Sequence, residues 1–128
     1  MINDVKIIVV DDDQPTRDLV VDILKYSVNR DVLPFENGLV AWRYIESGND
    51  VDIVILNVDM PGMGGFELLA KIKDKYPRII CVMMSGSPGS EKSAEKLGAD
   101  AFLSKPFNVN DLFDIVQAFV VGSEEGNA

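Results

Sequence analysis

The sequence predicts an α/β fold, a doubly wound five-stranded parallel sheet in the order 2-1-3-4-5 with five helices laid over its two faces. Three observations predict it. Five short apolar runs rich in β-branched residues alternate with five segments whose apolar residues recur at helical spacing. The runs lack polar alternation, as strands buried on both faces do. The second run alone contains a proline, Pro34, which cannot donate to a ladder and so assigns that strand to an edge.

The elements follow in order. Residues 6–10 form the first strand, and Leu19, Val20, Ile23 and Leu24 mark the helix after it, with Pro15 in its first turn and Asp13 or Gln14 placed to cap it. Residues 32–35 form the second strand, followed by a helix carrying Leu39, Trp42 and Ile45. Residues 51–56 form the third strand, followed by a helix carrying Phe66, Leu69 and Ile72. Residues 79–84 form the fourth, and the helix after it, residues 91–97, is the shortest and most polar, with Gly98 as its C-cap. Residues 101–104 form the fifth strand, and the last helix carries Val109, Leu112, Phe113, Val116 and Val120. In a sheet of this order, ligands bind beyond the carboxyl ends of the strands where the winding reverses, here after strands one and three.

A chain of 128 residues, 47% of them hydrophobic, is the size of one domain able to bury a core without staples. We expect that domain over residues 1–121, with residues 122–128 a small, polar, flexible tail or linker. The formal charge of -9 opposes a phosphate backbone, so direct nucleic-acid binding is not expected and the partner is expected to be a protein. The lone Cys81 excludes an intramolecular disulfide and, in its apolar run, is expected to be a small buried residue. No stretch approaches the roughly 20 apolar residues that span a bilayer, and the first residues carry no basic region, so no membrane association and a cytoplasmic location are expected.

Four elements at strand ends carry the chemistry. Asp11, Asp12 and Asp13 follow the first strand. Closely spaced carboxylates at the switch point repel one another unless a cation binds, and oxygen ligands with room for water and phosphate suit Mg2+. Asp11 and Asp12 are the expected metal residues, and Asp13 a cap or surface residue. The second element is Asn57-Val58-Asp59-Met60-Pro61-Gly62-Met63-Gly64-Gly65, the third Ser85-Gly86, the fourth Ser104-Lys105-Pro106-Phe107.

With these motifs on four strand ends, residues 4–121 resemble a response-regulator receiver domain of two-component signalling, similar to the single-domain chemotaxis regulators. The resemblance implies a flavodoxin-like fold and transfer of a phosphoryl group from a histidine kinase or phosphotransfer protein to an aspartate ending strand three, bridged by Mg2+. It implies metal binding by Asp11, Asp12, residue 57 and the backbone carbonyl of Asp59. It makes Ser85 the hydroxyl switch, Lys105 the phosphate-pairing lysine and Phe102 the aromatic that reports activation, and it makes the Lys105-Pro106 bond cis. A downstream protein or an output domain is the implied target, reached through the face of the fourth helix, fifth strand and fifth helix, which also suits a homodimer.

One departure dominates. The acceptor position is Asn57, whose amide oxygen is neutral and a poor nucleophile, so no phosphorylation is expected there in the chain as written. Asp59 is no substitute, because its side chain lies beyond the strand that aims the acceptor. Asn57 is either a natural replacement, making a pseudo-receiver that works as a phosphate-independent interaction module, or an engineered near-isostere. Retention of Asp11, Asp12, Ser85 and Lys105 favours the second. The loss of one carboxylate is also expected to weaken Mg2+ binding relative to an Asn57→Asp form. An enzyme of the phosphatase type is not expected, since the chain has no histidine and no carboxylate nucleophile at the position. A flavin carrier of the same fold would want a phosphate-cradling loop where this chain has three acids.

Overall fold

The computed structural model describes residues 5–28 and 31–126. Strands β1 (Lys6–Val10), β2 (Asp31–Phe35), β3 (Ile53–Asn57), β4 (Ile80–Ser85) and β5 (Ala101–Ser104) alternate with helices α1 (Gln14–Val28), α2 (Gly38–Glu46), α3 (Gly65–Lys75), α4 (Ser90–Lys96) and α5 (Val109–Gly126). Every pairing is parallel and the order is β2-β1-β3-β4-β5. Pro34 sits on the edge strand opposite Val9, where its missing N–H leaves no ladder bond unmade.

Side chains alternate across a strand, and here both faces are buried. Ile7, Val9, Ile53, Ile55, Val82, Met84 and Leu103 face Val20, Leu24, Leu112, Val116 and Val120 of α1 and α5. Ile8, Val10, Val54, Leu56, Cys81 and Met83 face Ala41, Ile45, Leu68, Leu69, Ile72 and Ala94 of α2, α3 and α4. Each such aliphatic side chain contributes roughly 1.5–3 kcal/mol on burial, so the central strands are clamped from two sides and their carboxyl ends are held rigidly in line. That rigidity is what a site assembled from several strand ends requires.

Local chemistry sets the boundaries. Asp13 is the N-cap of α1, its carboxylate accepting from the Thr16 backbone N–H at 3.1 Å and from the Thr16 hydroxyl. Those bonds to Thr16 hold the Asp13 carboxyl below its ordinary range. Asn37 caps α2 by accepting from the Val40 N–H at 2.9 Å. Gly98, at φ 93°, ends α4 in the left-handed conformation that glycine adopts without strain.

The structure corrects several expectations. β3 and β4 each continue one residue past the apolar run, so Asn57 and Ser85 are strand residues rather than the first of a loop. Leu19, Leu39 and Val109 fit the helical period but face solvent, because each helix packs through a stripe narrower than its apolar content. α5 runs on to Gly126, through five of the seven residues expected to be a flexible tail or linker. Once Leu112, Val116 and Val120 anchor the helix, each further residue adds a backbone bond at little entropic cost, and Ser-Glu-Glu does not oppose it. Residues 127 and 128, the rest of that segment, lie outside the described residues, as do residues 1–4 at the start of the expected domain.

Candidate functional site

The carboxyl ends of β1, β3, β4 and β5 meet around Lys105. Main-chain bonds set the frame. Asp11 N–H donates to the Phe35 carbonyl at 3.1 Å, Val58 N–H to Met84 at 2.9 Å and Lys105 N–H to Ser85 at 2.9 Å. Gly65 N–H donates to the Val58 carbonyl at 2.9 Å, folding the start of α3 back over the end of β3. The approach is so close that a Cβ on Gly65 would lie 2.2 Å from the Asn57 carbonyl oxygen. Only glycine fits there, a role that the loop motif alone does not reveal.

Asp11 is fully buried at the first of these ends. One carboxylate oxygen accepts from the Asp13 N–H at 3.0 Å and the other faces the Lys105 ammonium at 3.5 Å. The Arg17 guanidinium clamps the loop by donating to the Asp11 carbonyl at 2.8 Å. Burial pushes the Asp11 carboxyl above its ordinary value, against the lowering effect of the Asp13 N–H and of Lys105. Asp12 points to solvent. Of the three adjacent acids, one is therefore an interior charge, one is exposed and one is a cap.

Asn57 is 6% exposed and joins two partners. Its Oδ1 accepts from Lys105 Nζ at 2.8 Å, and its Nδ2 donates to the Asp59 carbonyl at 2.7 Å. The Asp59 side chain is exposed and accepts from the Ser87 hydroxyl at 3.3 Å, clear of Lys105. Thus the Asp59 backbone, not its carboxylate, belongs to the site.

Ser85 is buried at the end of β4. Its Oγ accepts from the Ser87 N–H at 3.0 Å and lies 3.2 Å from the hydroxyl of Ser90, itself buried in the first turn of α4. Sequence reasoning misses Ser90. A serine at a helix start looks like an ordinary cap, and only the packing of α4 on β4 turns it inward. Phe102 is half-buried among the side chains beneath α4, and with Ser85, Gly86 and Lys105 it lines a shallow pocket of about 240 Å³. The Lys105-Pro106 peptide is cis, as the family resemblance implied.

The donor set fits a divalent cation only through Asp11 and Asp12. Among the described residues no three acidic, cysteine or histidine side chains are grouped to hold a metal. The two other oxygens expected to share a cation, on Asn57 and on the Asp59 backbone, are engaged by Lys105 and by the Asn57 amide itself. As arranged, the residues do not fit a resident Mg2+.

Comparison with known proteins shows what the chain is similar to. Residues 7–117 match the family model of the response regulator receiver domain. A chemotaxis protein CheY homolog of Campylobacter jejuni is 31% identical over 128 residues, covering 96% of this chain and 98% of the relative. The two-component response regulator-like PRR37 of Oryza sativa is 36% identical over 118 residues, covering 88% of this chain but 16% of the relative. The chain likewise spans 47% of the response regulator GtcR of Aneurinibacillus migulanus. Among solved structures, the chemotaxis response regulator CheY4 of Vibrio cholerae superposes with a TM-score of 0.81 at 27% identity, covering 89% of this chain and 97% of the other. A CheY-like receiver domain protein of Methanospirillum hungatei gives 0.85 at 25% identity, covering 96% and 98%.

Proposed function

The chain belongs to the response regulator receiver domain family, and from that premise we propose that it is a signalling module silent to phosphoryl transfer at residue 57, acting through contacts with a protein partner. The observation that carries this reading is the orientation of Asn57. The atom facing Lys105 at 2.8 Å is the oxygen of a neutral amide, a far weaker nucleophile toward phosphorus than a carboxylate oxygen.

The surroundings support a receiver rather than an enzyme with a reaction of its own. Phosphoryl transfer to a receiver asks mainly for positioning and charge neutralisation. Lys105 is a point charge aimed at residue 57, and Ser85 offers a hydroxyl from the next strand. With aspartate restored, Asp11, Asp12 and the new carboxylate are the residues that would hold Mg2+, whose chemistry is to neutralise charge on the phosphoryl oxygens. Ser85 and Phe102, both beside the start of α4 and β5, are the elements by which such a charge would bias the face of α4, β5 and α5. The proposed phosphoryl donor is a histidine kinase or phosphotransfer protein in the cytoplasm, and the proposed target a downstream protein, an output domain or a second copy. No helix of the described residues is long and apolar enough to cross a membrane.

The test is intact-protein mass spectrometry after incubation with acetyl phosphate and Mg2+, run on this chain and on Asn57→Asp. A single acid-stable, base-labile phosphoryl group on the Asp form alone is the expected result. Modification of the parent chain at residue 57 overturns the reading. Modification of neither form leaves a receiver fold that works only as an interaction module.

A further inference from the structure

We propose that the Asn57 carboxamide is a built-in bridge standing where a divalent cation would stand, so that the site is closed to Mg2+ by occupation and not only by the missing charge. The inference rests on the receiver reading and deepens it.

The orientation of the amide follows from its partners. An ammonium can only donate, so the atom facing Lys105 at 2.8 Å is oxygen, and a backbone carbonyl can only accept, so the atom facing Asp59 at 2.7 Å is nitrogen. A cation shared between residue 57 and the Asp59 carbonyl would need an oxygen on each. Here the NH2 group supplies the positive end of a dipole to that carbonyl, while Lys105 supplies the positive charge to the Asn57 oxygen and, at 3.5 Å, to buried Asp11. The groups a metal would satisfy are therefore satisfied by the protein.

Turning the amide over does not open the site. A flip that pointed Oδ1 at an incoming cation would put the NH2 group against the Lys105 ammonium, donor against donor. At 6% exposure, residue 57 has little water to relieve the mismatch. Entry of a cation thus requires breaking a 2.7 Å hydrogen bond with no compensating partner for the freed N–H.

Occupation and lost charge make opposite statements about Asn57→Ala. If only charge matters, deleting a neutral ligand oxygen leaves Mg2+ affinity unchanged or lowers it. If the bridge blocks the site, deletion frees the Asp59 carbonyl and raises affinity. Calorimetric titration with MgCl2 of the parent chain, Asn57→Ala and Asn57→Asp is expected to give the order Asp, Ala, Asn from tightest to weakest. Ala should be about fivefold tighter than Asn, the factor one net hydrogen bond provides. Equal or weaker binding by Ala overturns the bridge. A second measurement on the parent chain alone covers poor folding of Ala. The Asn57 side-chain amide resonances should be slow to exchange and unmoved by Mg2+, and movement or loss of protection overturns the proposal. Phosphorylation of Asn57→Asp is read separately, so the bridge can fail while the receiver reading stands.

Discussion

Replacing Lys105 with methionine keeps the length of the side chain and removes the ammonium that contacts both Asp11 and Asn57. In the structure that ammonium lies 3.5 Å from the Asp11 carboxylate, whose side chain has no exposed surface, while the Lys105 side chain is 28% exposed. At an effective dielectric near 20, a unit pair at that distance is worth about 5 kcal/mol. Solvent reaching the lysine reduces this, and we expect a loss of about 2–3 kcal/mol at pH 7, or roughly 10 °C in Tm for a domain of this size. The loss should depend on pH with a definite sign. Burial raises the Asp11 carboxyl in the folded state above its ordinary 3.8, and Lys105 holds that rise down. A folded-state pKa above the unfolded one means stability falls as pH rises through the interval between them. Without Lys105 the interval extends higher and the fall is deeper. The two forms should therefore differ least below about pH 4, where Asp11 is protonated in both, and most above neutrality. Urea denaturation across pH, repeated in an Asp11→Asn background, reads this directly. A deficit of the same size at pH 4 and pH 8, or one undiminished in the Asp11→Asn background, would refute the reasoning and reduce Lys105 to its bond with Asn57.

Two further outcomes follow from packing. Gly65→Ala should lower stability by at least about 2 kcal/mol in urea melts, because its Cβ would lie 2.2 Å from one backbone atom and 2.7 Å from another, whereas Gly64→Ala, with nothing nearer than 3.8 Å, should be close to neutral. A neutral Gly65→Ala would mean that the junction of β3 and α3 is far softer than it looks. Cys81 is wholly buried and its thiol is pushed up to about 12 by desolvation, so it should resist a disulfide reagent at pH 8 until the chain is unfolded; rapid labelling of the native protein would contradict that burial.

The frame was more legible than the site's wiring. Residues 7–10 and 53–56 declared themselves as strands because burial on both faces leaves no polar residue to blur the run, and Pro34 alone sufficed to place an edge. The site residues were locatable because the fold forces every strand's carboxyl end to one side. What the sequence could not carry was direction. Three consecutive aspartates look alike, yet Asp11 is interior, Asp12 exposed and Asp13 a cap, a distinction set by where β1 stops. Leu19 and Leu39 obey the helical period as well as Val20 and Ala41 do, and only packing tells which stripe is covered. Ser90 had no signal at all, since its burial depends on the seating of α4 against β4.

The wiring bears on why the other site residues persist beside an asparagine. The frame is made of main-chain bonds, Val58 to Met84, Lys105 to Ser85 and Gly65 to Val58, none of which involves the side chain at 57. Exchanging amide for carboxylate there leaves those main-chain bonds in place while removing the donor to the Asp59 carbonyl. Asp11 and Lys105 do not depend on a phosphoryl group for their pairing, because each is the other's counter-charge, and removal of Lys105 strands a carboxylate that the fold has drawn from water. Their presence thus has a structural reason in the pair itself. It therefore argues less for an otherwise intact reaction site than the sequence suggested, and it moves the weight of that question onto Ser85 and Asp12, which carry no such structural obligation to Lys105.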